Sequence, residues 1–466
     1  MQLPGPKGLP LLGVAAEYII NKRKMSWRTN NFHKYGSTML CWVGPIPFLI
    51  TRDPNVVKDI LISFECINKA MYPVNAIEKC VGEGLLSLRE PQWNPRRKQM
   101  NPAFKQSILL SFIPVFSDET NALLSLIDTF VGQGERDMYS DILRWSFGVS
   151  IKTTLGSDIE EDENFKNDKL MKSYETVVSL ITVKSLMPLV QNKTISKLCG
   201  YERKRIDAAF IIDKTIKNVI QKRMNESDLK KNYTQSSNKV INRAIELFRN
   251  GDISYEDVKS ECSVMVLASF ETTALTVWHC LILMAMFPNY QDMAFEELKT
   301  VFPTNGDFEV TEDDLQNCEY LDRVLNETMR LIPSIPFIPR ETSQDFRLSN
   351  GLLIPKGVVM GVDIFNTHRN KDFWGSEANT FNPDNFLKEN ISERHPYAFI
   401  PFSKGRRNCI GWKYALMSSK LALAKVLRNY KTSTSFRYED LVYVDNMGMK
   451  LAVHPRLEFH RRDKDI

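Results

Sequence analysis

Cys409 is the residue of this 466-residue chain whose surroundings best suit a metal ligand. It sits in Phe402-Ser-Lys-Gly-Arg-Arg-Asn-Cys-Ile-Gly411, between two glycines that let the backbone turn tightly, with Arg406 and Arg407 just upstream. Thiolate, not thiol, is the ligand form, and neighbouring cations favour it. The stretch Trp412 to Asn429 has helical spacing and several alanines, so a helix start follows the cysteine and its amide dipoles favour the thiolate further. The competing reading of a lone cysteine is a buried, inert one. Three other groupings can do chemistry or hold it in place: Glu271-Thr272, an acid beside an alcohol; Trp93 and Arg97, four apart and so on one helical face; and Glu327 with Arg330, three apart. His368 invites a metal-ligand reading but is expected to be structural.

The elements that must carry these residues are mostly helices. From 110 to 250 the pattern is helical, with polar interruptions at 132–135, 156–167 and 225–238, and the stretch 228–238 is expected to be an exposed loop. The most apolar part of the chain runs from Cys262 to Phe287. Ser254 with Asp257 marks a helix start before it and Pro288 an end, which predicts a helix of some thirty residues, roughly 45 Å. Such a stretch also passes as a membrane span, against which stand Glu271 and His279 within it. Glu319 to Leu331 reads as an amphipathic helix. Gly36 to Thr51 reads as a strand pair, Asp53-Pro54 as a helix start, Leu348 to Met360 as a small sheet, and Leu441 to Leu457 as a hairpin around Asn446-Met-Gly448. The fold class is therefore mainly α with small β-sheets, read as a single domain over residues 1–466.

Composition excludes several function classes. Apolar residues make up 43% and charged residues 25%, as in a globular protein with a sizeable core. The net charge of +5 is a small difference between 61 basic and 56 acidic residues and gives no argument for nucleic acid. The eight cysteines form no Cys-x-x-Cys pair and no regular spacing, which disfavours a zinc site or a disulfide framework. The prolines and glycines of 1–13 suggest a stiff, turning hinge. The apolar run from Leu9 to Ile20 is too short to span a bilayer and contains Glu17, so no amino-terminal anchor is visible there.

The pattern Phe-x-x-Gly-x-Arg-x-Cys-x-Gly, met at all five fixed positions from Phe402 to Gly411, resembles the signature of the cytochrome P-450 superfamily. Four further segments resemble that family in the expected order. They are Trp93-x-x-x-Arg97; Ala268-Ser-Phe-Glu-Thr-Thr273, like its oxygen-activation segment, where a local break in helical bonding is implied; Glu327-x-x-Arg330; and the proline-punctuated stretch from Pro333 to Pro339 with Arg340 after it. The block from 384 to 390 and Arg-Asn-Cys-Ile-Gly-Trp look most like insect members of the family 4 clan. The resemblance implies a P-450 fold with a long central helix over a haem, and Cys409 as the thiolate ligand of its iron. It implies that Trp93, Arg97, Arg340 and Arg407 hold haem propionates, with Phe402 also at the haem, and that Thr272 and Glu271 assist oxygen activation by hydrogen bonding and proton delivery. Two departures stand out. Ser269 occupies a position where glycine is usual, and Asn385, in Phe381-Asn-Pro-Asp-Asn-Phe386, takes the place of an arginine that completes a buried triad with Glu327 and Arg330. Ala268 aligns with a glutamate that bonds covalently to the haem in several family 4 relatives, so non-covalent haem b is expected here.

The activity implied is monooxygenation of a hydrophobic small molecule such as a xenobiotic, fatty acid, steroid or hormone-like lipid. Electrons would come from NADPH through NADPH-cytochrome P-450 reductase, with cytochrome b5 as a further partner, at the cytosolic face of the endoplasmic reticulum membrane. Lys404, Arg406, Arg407 and Lys413 cluster around the ligand, and those not turned to a propionate would offer an acidic reductase a basic face. The alternatives are a haem-thiolate isomerase or dehydratase acting on peroxides, which would lack the Glu271-Thr272 pair, and a non-enzymatic haem protein serving as a ligand sink.

Overall fold

The computed structural model describes residues 3–21, 24–229, 239–304 and 306–462. Among the described residues helices dominate, joined by four small sheets, and the chain divides into two compact units, residues 1–67, 116–145 and 272–466 in the first and 68–115 and 146–271 in the second. The helix Tyr255–Met286 supplies residues to both.

The first unit contains a four-stranded sheet in the order Thr38–Val43, Ile46–Thr51, Val359–Asp363, Phe337–Glu341. The expected strand pair is its antiparallel edge, with Thr38 opposite Thr51, and the parallel pairing of Phe48 with Val359 joins chain segments three hundred residues apart. The buried Leu49, Met360 and Val362 belong to one core cluster with Val57 and Ile60 of the helix Pro54–Ile62. That helix starts where Asp53 accepts the Asn55 N–H at 2.9 Å. The helices Glu319–Leu331 and Trp412–Asn429 match the predicted spans and pack together.

The helix Glu319–Leu331 carries the most constrained feature of this unit. Glu327 and Arg330, both with fully buried side chains, pair at 2.6 Å. The guanidinium also donates to the carbonyls of His368, Ala378 and Thr380, while Glu327 accepts from Asn382 N–H at 2.9 Å and from Asn385 Nδ2 at 3.1 Å. Asn385 thus fills the arginine's place with a neutral hydrogen bond, as its residue type predicts. Arg394 lies nearby, donating to the Asn385 carbonyl at 3.0 Å and resting 3.8 Å from the centre of the Trp374 ring.

In the second unit the helices Lys169–Leu186, Tyr201–Leu229 and Met71–Val81 pack together, with Phe147, Tyr174 and Phe270 meeting ring to ring at 5.7–6.0 Å. The predicted loop begins later than expected. Residues 228 and 229 end a helix, and 230–238 lie outside the described residues. The interruption expected over 156–167 holds two short helical turns, Ser157–Glu161 and Glu163–Lys166.

The long apolar helix begins where Ser254 and Asp257 cap each other, the Asp257 N–H to Ser254 Oγ at 3.1 Å and the Ser254 N–H to Asp257 Oδ2 at 2.8 Å. It is an interior helix, since its most apolar window is 78% buried within the protein. His279 fits that setting as a neutral side chain, because burial and the neighbouring His454 hold its pKa down at about 3.

The Glu327–Arg330 geometry carries a stability prediction. Glu327→Leu strands a buried guanidinium and should cost about 3–5 kcal/mol, whereas Asn385→Ala, which removes one bond to a charged acceptor, should cost about 1.5–3 kcal/mol. Urea unfolding of the two variants checks the ranking, and equal losses would contradict it.

Candidate active site

The cysteine loop forms a closed turn within the first unit. The Cys409 N–H donates to the Phe402 carbonyl at 2.9 Å, and that of Asn408 to the Gly405 carbonyl at 3.3 Å. Of the two flanking glycines, Gly405 is the one that must be glycine. Its φ is +77°, and a Cβ there would lie 2.1 Å from the Leu61 carbonyl oxygen. Gly411 has an ordinary φ of −93° and caps the helix Trp412–Asn429, so Cys409 does precede a helix start.

Cys409 is exposed, unlike six of the other seven cysteines, and none of the eight is in a disulfide. The thiols of Cys41 and Cys66, by contrast, are pushed up to about 12 by burial and are inert. Arg407 is buried, with Nη1 3.5 Å from the Ile67 carbonyl, while Arg406 is exposed and lies over the Phe64 ring at 5.2 Å.

Arg340 sits on the edge strand Phe337–Glu341, opposite Met360. Only 3% exposed, it has no carboxylate partner among the described residues. Burial lowers its pKa to about 10, with only a small opposing effect from Cys66. The same unit satisfies Arg28, which is paired with Asp363 at 2.8 Å and Asp445 at 2.6 Å, and Arg330 is satisfied by Glu327. A buried guanidinium without an anion is costly. Arg340 therefore fits a group that brings its own carboxylates.

The segment Ala268 to Thr273 lies within unbroken α-helix. Along a run that is otherwise buried, Ala268 is exposed and Ser269, Thr272 and Thr276 are half-buried, so one stripe of the helix is left uncovered by this chain. Glu271 is buried. The Thr272 carbonyl accepts from Thr276 Oγ1 at 2.9 Å and Ser334 Oγ at 3.0 Å, and these two hydroxyls are 2.7 Å apart. Ser334 is held in turn by Met449 of the carboxy-terminal hairpin, whose N–H reaches its carbonyl at 2.8 Å.

Ser269 does not project a loose hydroxyl. It donates back to the Met265 carbonyl at 2.8 Å and contacts Ser150 Oγ, while Ser146 Oγ donates to the Phe270 carbonyl at 2.7 Å. The local break in helical bonding implied for this segment is absent, and its added serine is accommodated by a serine pair on the neighbouring helix.

In the second unit, Trp93 and Arg97 share the helix Trp93–Met100, with Pro95 in its first turn. Trp93 is buried, and Arg97 Nε donates to Asn101 Oδ1 at 3.0 Å. Arg96 anchors this helix, a role the sequence did not suggest. It binds Glu261 at 2.8 Å and Asp257 at 3.0 Å on the central helix, and Glu261 also accepts the Leu85 N–H. His368 is structural, with both ring nitrogens meeting backbone groups.

The cytochrome P-450 family model matches residues 3–456. The chain belongs to the cytochrome P-450 family. Among its relatives, the probable cytochromes P-450 313a3 and 313a1 of Drosophila melanogaster are each 55% identical, over 462 and 463 residues, spanning 99% of this chain and 94% of theirs. Cytochrome P-450 4c21 of Blattella germanica is 28% identical over 453 residues, spanning 94% of this chain and 89% of its own. The insect affinity is as expected, but the family 4 relatives are the more distant ones. This P-450 is a haem-thiolate monooxygenase, of a family that generally works on hydrophobic substrates with redox partners.

The unpaired Arg340 gives this P-450 a diagnostic asymmetry. Arg340→Met should leave the melting temperature of haem-free protein unchanged or raise it, and should speed haem loss to apomyoglobin about tenfold or more, as loss of an anion-binding buried cation implies. Destabilised haem-free protein with unaltered haem retention would contradict the assignment.

Proposed function

We propose that this P-450 takes NADPH-derived electrons from NADPH-cytochrome P-450 reductase, with cytochrome b5 as an additional donor, and oxygenates a hydrophobic small molecule of the xenobiotic, fatty acid, steroid or hormone-like lipid class. The observation that carries the reading is the acid and alcohol pair Glu271-Thr272 on the central helix, at the edge of its uncovered stripe. Haem, when bound, supplies oxygen activation and, through its thiolate ligand, the push that favours O–O cleavage.

The chain's residues take the remaining roles. Cys409 is the iron ligand, in a loop closed through Phe402. Arg340 and Arg407, with Trp93 and Arg97, donate to the propionates as charge-assisted and indole N–H bonds. Thr272 holds a proton at its hydroxyl and Glu271 relays protons from solvent. Ser334 and Thr276, by bonding the Thr272 carbonyl, hold that residue in place. Ala268 offers no carboxylate for an ester, which supports non-covalent haem b, and residues 1–466 are read as one catalytic domain.

Placement at the cytosolic face of the endoplasmic reticulum membrane is supported in each unit by exposed apolar side chains, Leu9, Leu11, Leu12 and Ile20 in the first and Leu198, Ile206 and Phe210 in the second. The exposed Arg406 and Lys413 beside the cysteine loop support docking of an acidic reductase. Lys404 is turned to the Pro396 carbonyl and contributes less than its sequence position suggests.

With reductase, NADPH and an accepted substrate, Thr272→Ala should consume NADPH while yielding several-fold less product, the difference appearing as hydrogen peroxide, on the scale of one lost proton-transfer group. An unchanged ratio of product to NADPH would remove Thr272 from its role.

A further inference from the structure

His368 is completely buried in the unit that carries Cys409. Its Nδ1 lies 3.3 Å from the Arg330 carbonyl, and its Nε2 lies 2.9 Å from the backbone nitrogen of Ile400. A carbonyl can only accept and an amide N–H can only donate, so these contacts define one state of the ring, neutral with its proton on Nδ1. The residue is gripped at its backbone as well, because its own carbonyl accepts from Arg330 Nη1 at 3.0 Å. The Phe399 ring packs against the imidazole at 5.1 Å. Burial and the nearby guanidinium groups of Arg330 and Arg369 hold its pKa down at about 3, in keeping with the neutral ring.

Ile400 is where the chain enters the cysteine loop. Its carbonyl accepts the Ser403 N–H at 3.0 Å, and Ser403 turns with a φ of +59°. The next link is from Phe402 to the N–H of Cys409. A continuous set of bonds therefore runs from the Glu327–Arg330 pair through the His368 ring to Ile400, and along the loop to the cysteine. The guanidinium alone does not make this connection. Its backbone contacts are with the carbonyls of residues 368, 378 and 380, all earlier in the chain than the loop.

We infer that His368 is a positioning residue for the thiolate ligand, transmitting the fixed geometry of the Glu327–Arg330 pair to the start of the cysteine loop by accepting the Ile400 N–H. The inference rests on Cys409 as the iron ligand, but its first link stands apart from haem chemistry. An aliphatic residue here would leave a buried amide N–H unsatisfied and the loop free to shift.

Two amides separate the ring's two functions. Asparagine can replace Nδ1 toward Arg330 but is too short to meet Ile400, whereas glutamine reaches the Nε2 position and can accept from it. In haem-loaded protein, hydrogen exchange at Ile400 should be about tenfold or more faster in His368→Asn than in wild type, as expected for a lost buried hydrogen bond, with exchange within Glu319–Leu331 unchanged. His368→Gln should restore slow exchange. The ferrous carbon-monoxide spectrum should follow the same order, with the thiolate-ligated fraction falling several-fold in the asparagine variant and recovering in the glutamine one. Equal exchange rates and equal thiolate fractions in the two variants would overturn the inference. A wild-type protein lacking the thiolate band would overturn the reading of Cys409, and exchange at Ile400 would still judge the link to His368.

Discussion

The buried pairing of Glu327 with Arg330 is the constraint on which the catalytic unit depends. Neither charge reaches solvent, and each is tolerable only because every direction around it is occupied: two forked bonds between them, three backbone carbonyls on the guanidinium, and two donors on the carboxylate. Such a pair adds little net stability over a well-packed apolar alternative, but it accepts one arrangement of its neighbours and rejects others. The carbonyls it collects come from a long irregular stretch of residues 368–380, which has few helix or strand bonds to fix it. That irregular stretch is thereby tied to the helix Glu319–Leu331.

Arg340 presents the opposite case. It is as deeply buried as a core arginine, yet no carboxylate among the described residues pairs with it and its charge is disfavoured where it stands. Arg28 and Arg330 in the same unit differ from it, since both are neutralised by carboxylates of the chain. The cysteines divide in the same way. Those packed in the core are driven toward the thiol by desolvation, whereas Cys409 is exposed in a turn that leads into a helix amino terminus.

Much of this was readable from the sequence, and for physical reasons. The spans Glu319–Leu331 and Trp412–Asn429 carry their periodicity and stops locally, Ser254 and Asp257 form a cap within one turn, and the strand pair from Thr38 to Thr51 is bounded by its own turn. The replacement of an arginine by Asn385 could be followed to its consequence because the bond it makes depends on residue type. What was not readable is long-range. Arg96 finds Glu261 across 165 positions, Ser269 finds Ser150 across 119, and Ser334 finds the Thr272 carbonyl across 62. No local pattern marks such partners. The expected break in the central helix failed for a related reason, since the hydroxyl of Ser269 is absorbed by its own helix and a neighbour.

Cys409, held in its loop by this scaffold, is read as the thiolate ligand of a haem iron. The reduced carbon-monoxide difference spectrum of the purified protein, compared with that of Cys409→Ser, tests it most directly. Wild type should show a Soret band at the thiolate position, and the variant should lose it completely. A wild-type band at the histidine position, or a thiolate band that survives the substitution, would contradict it.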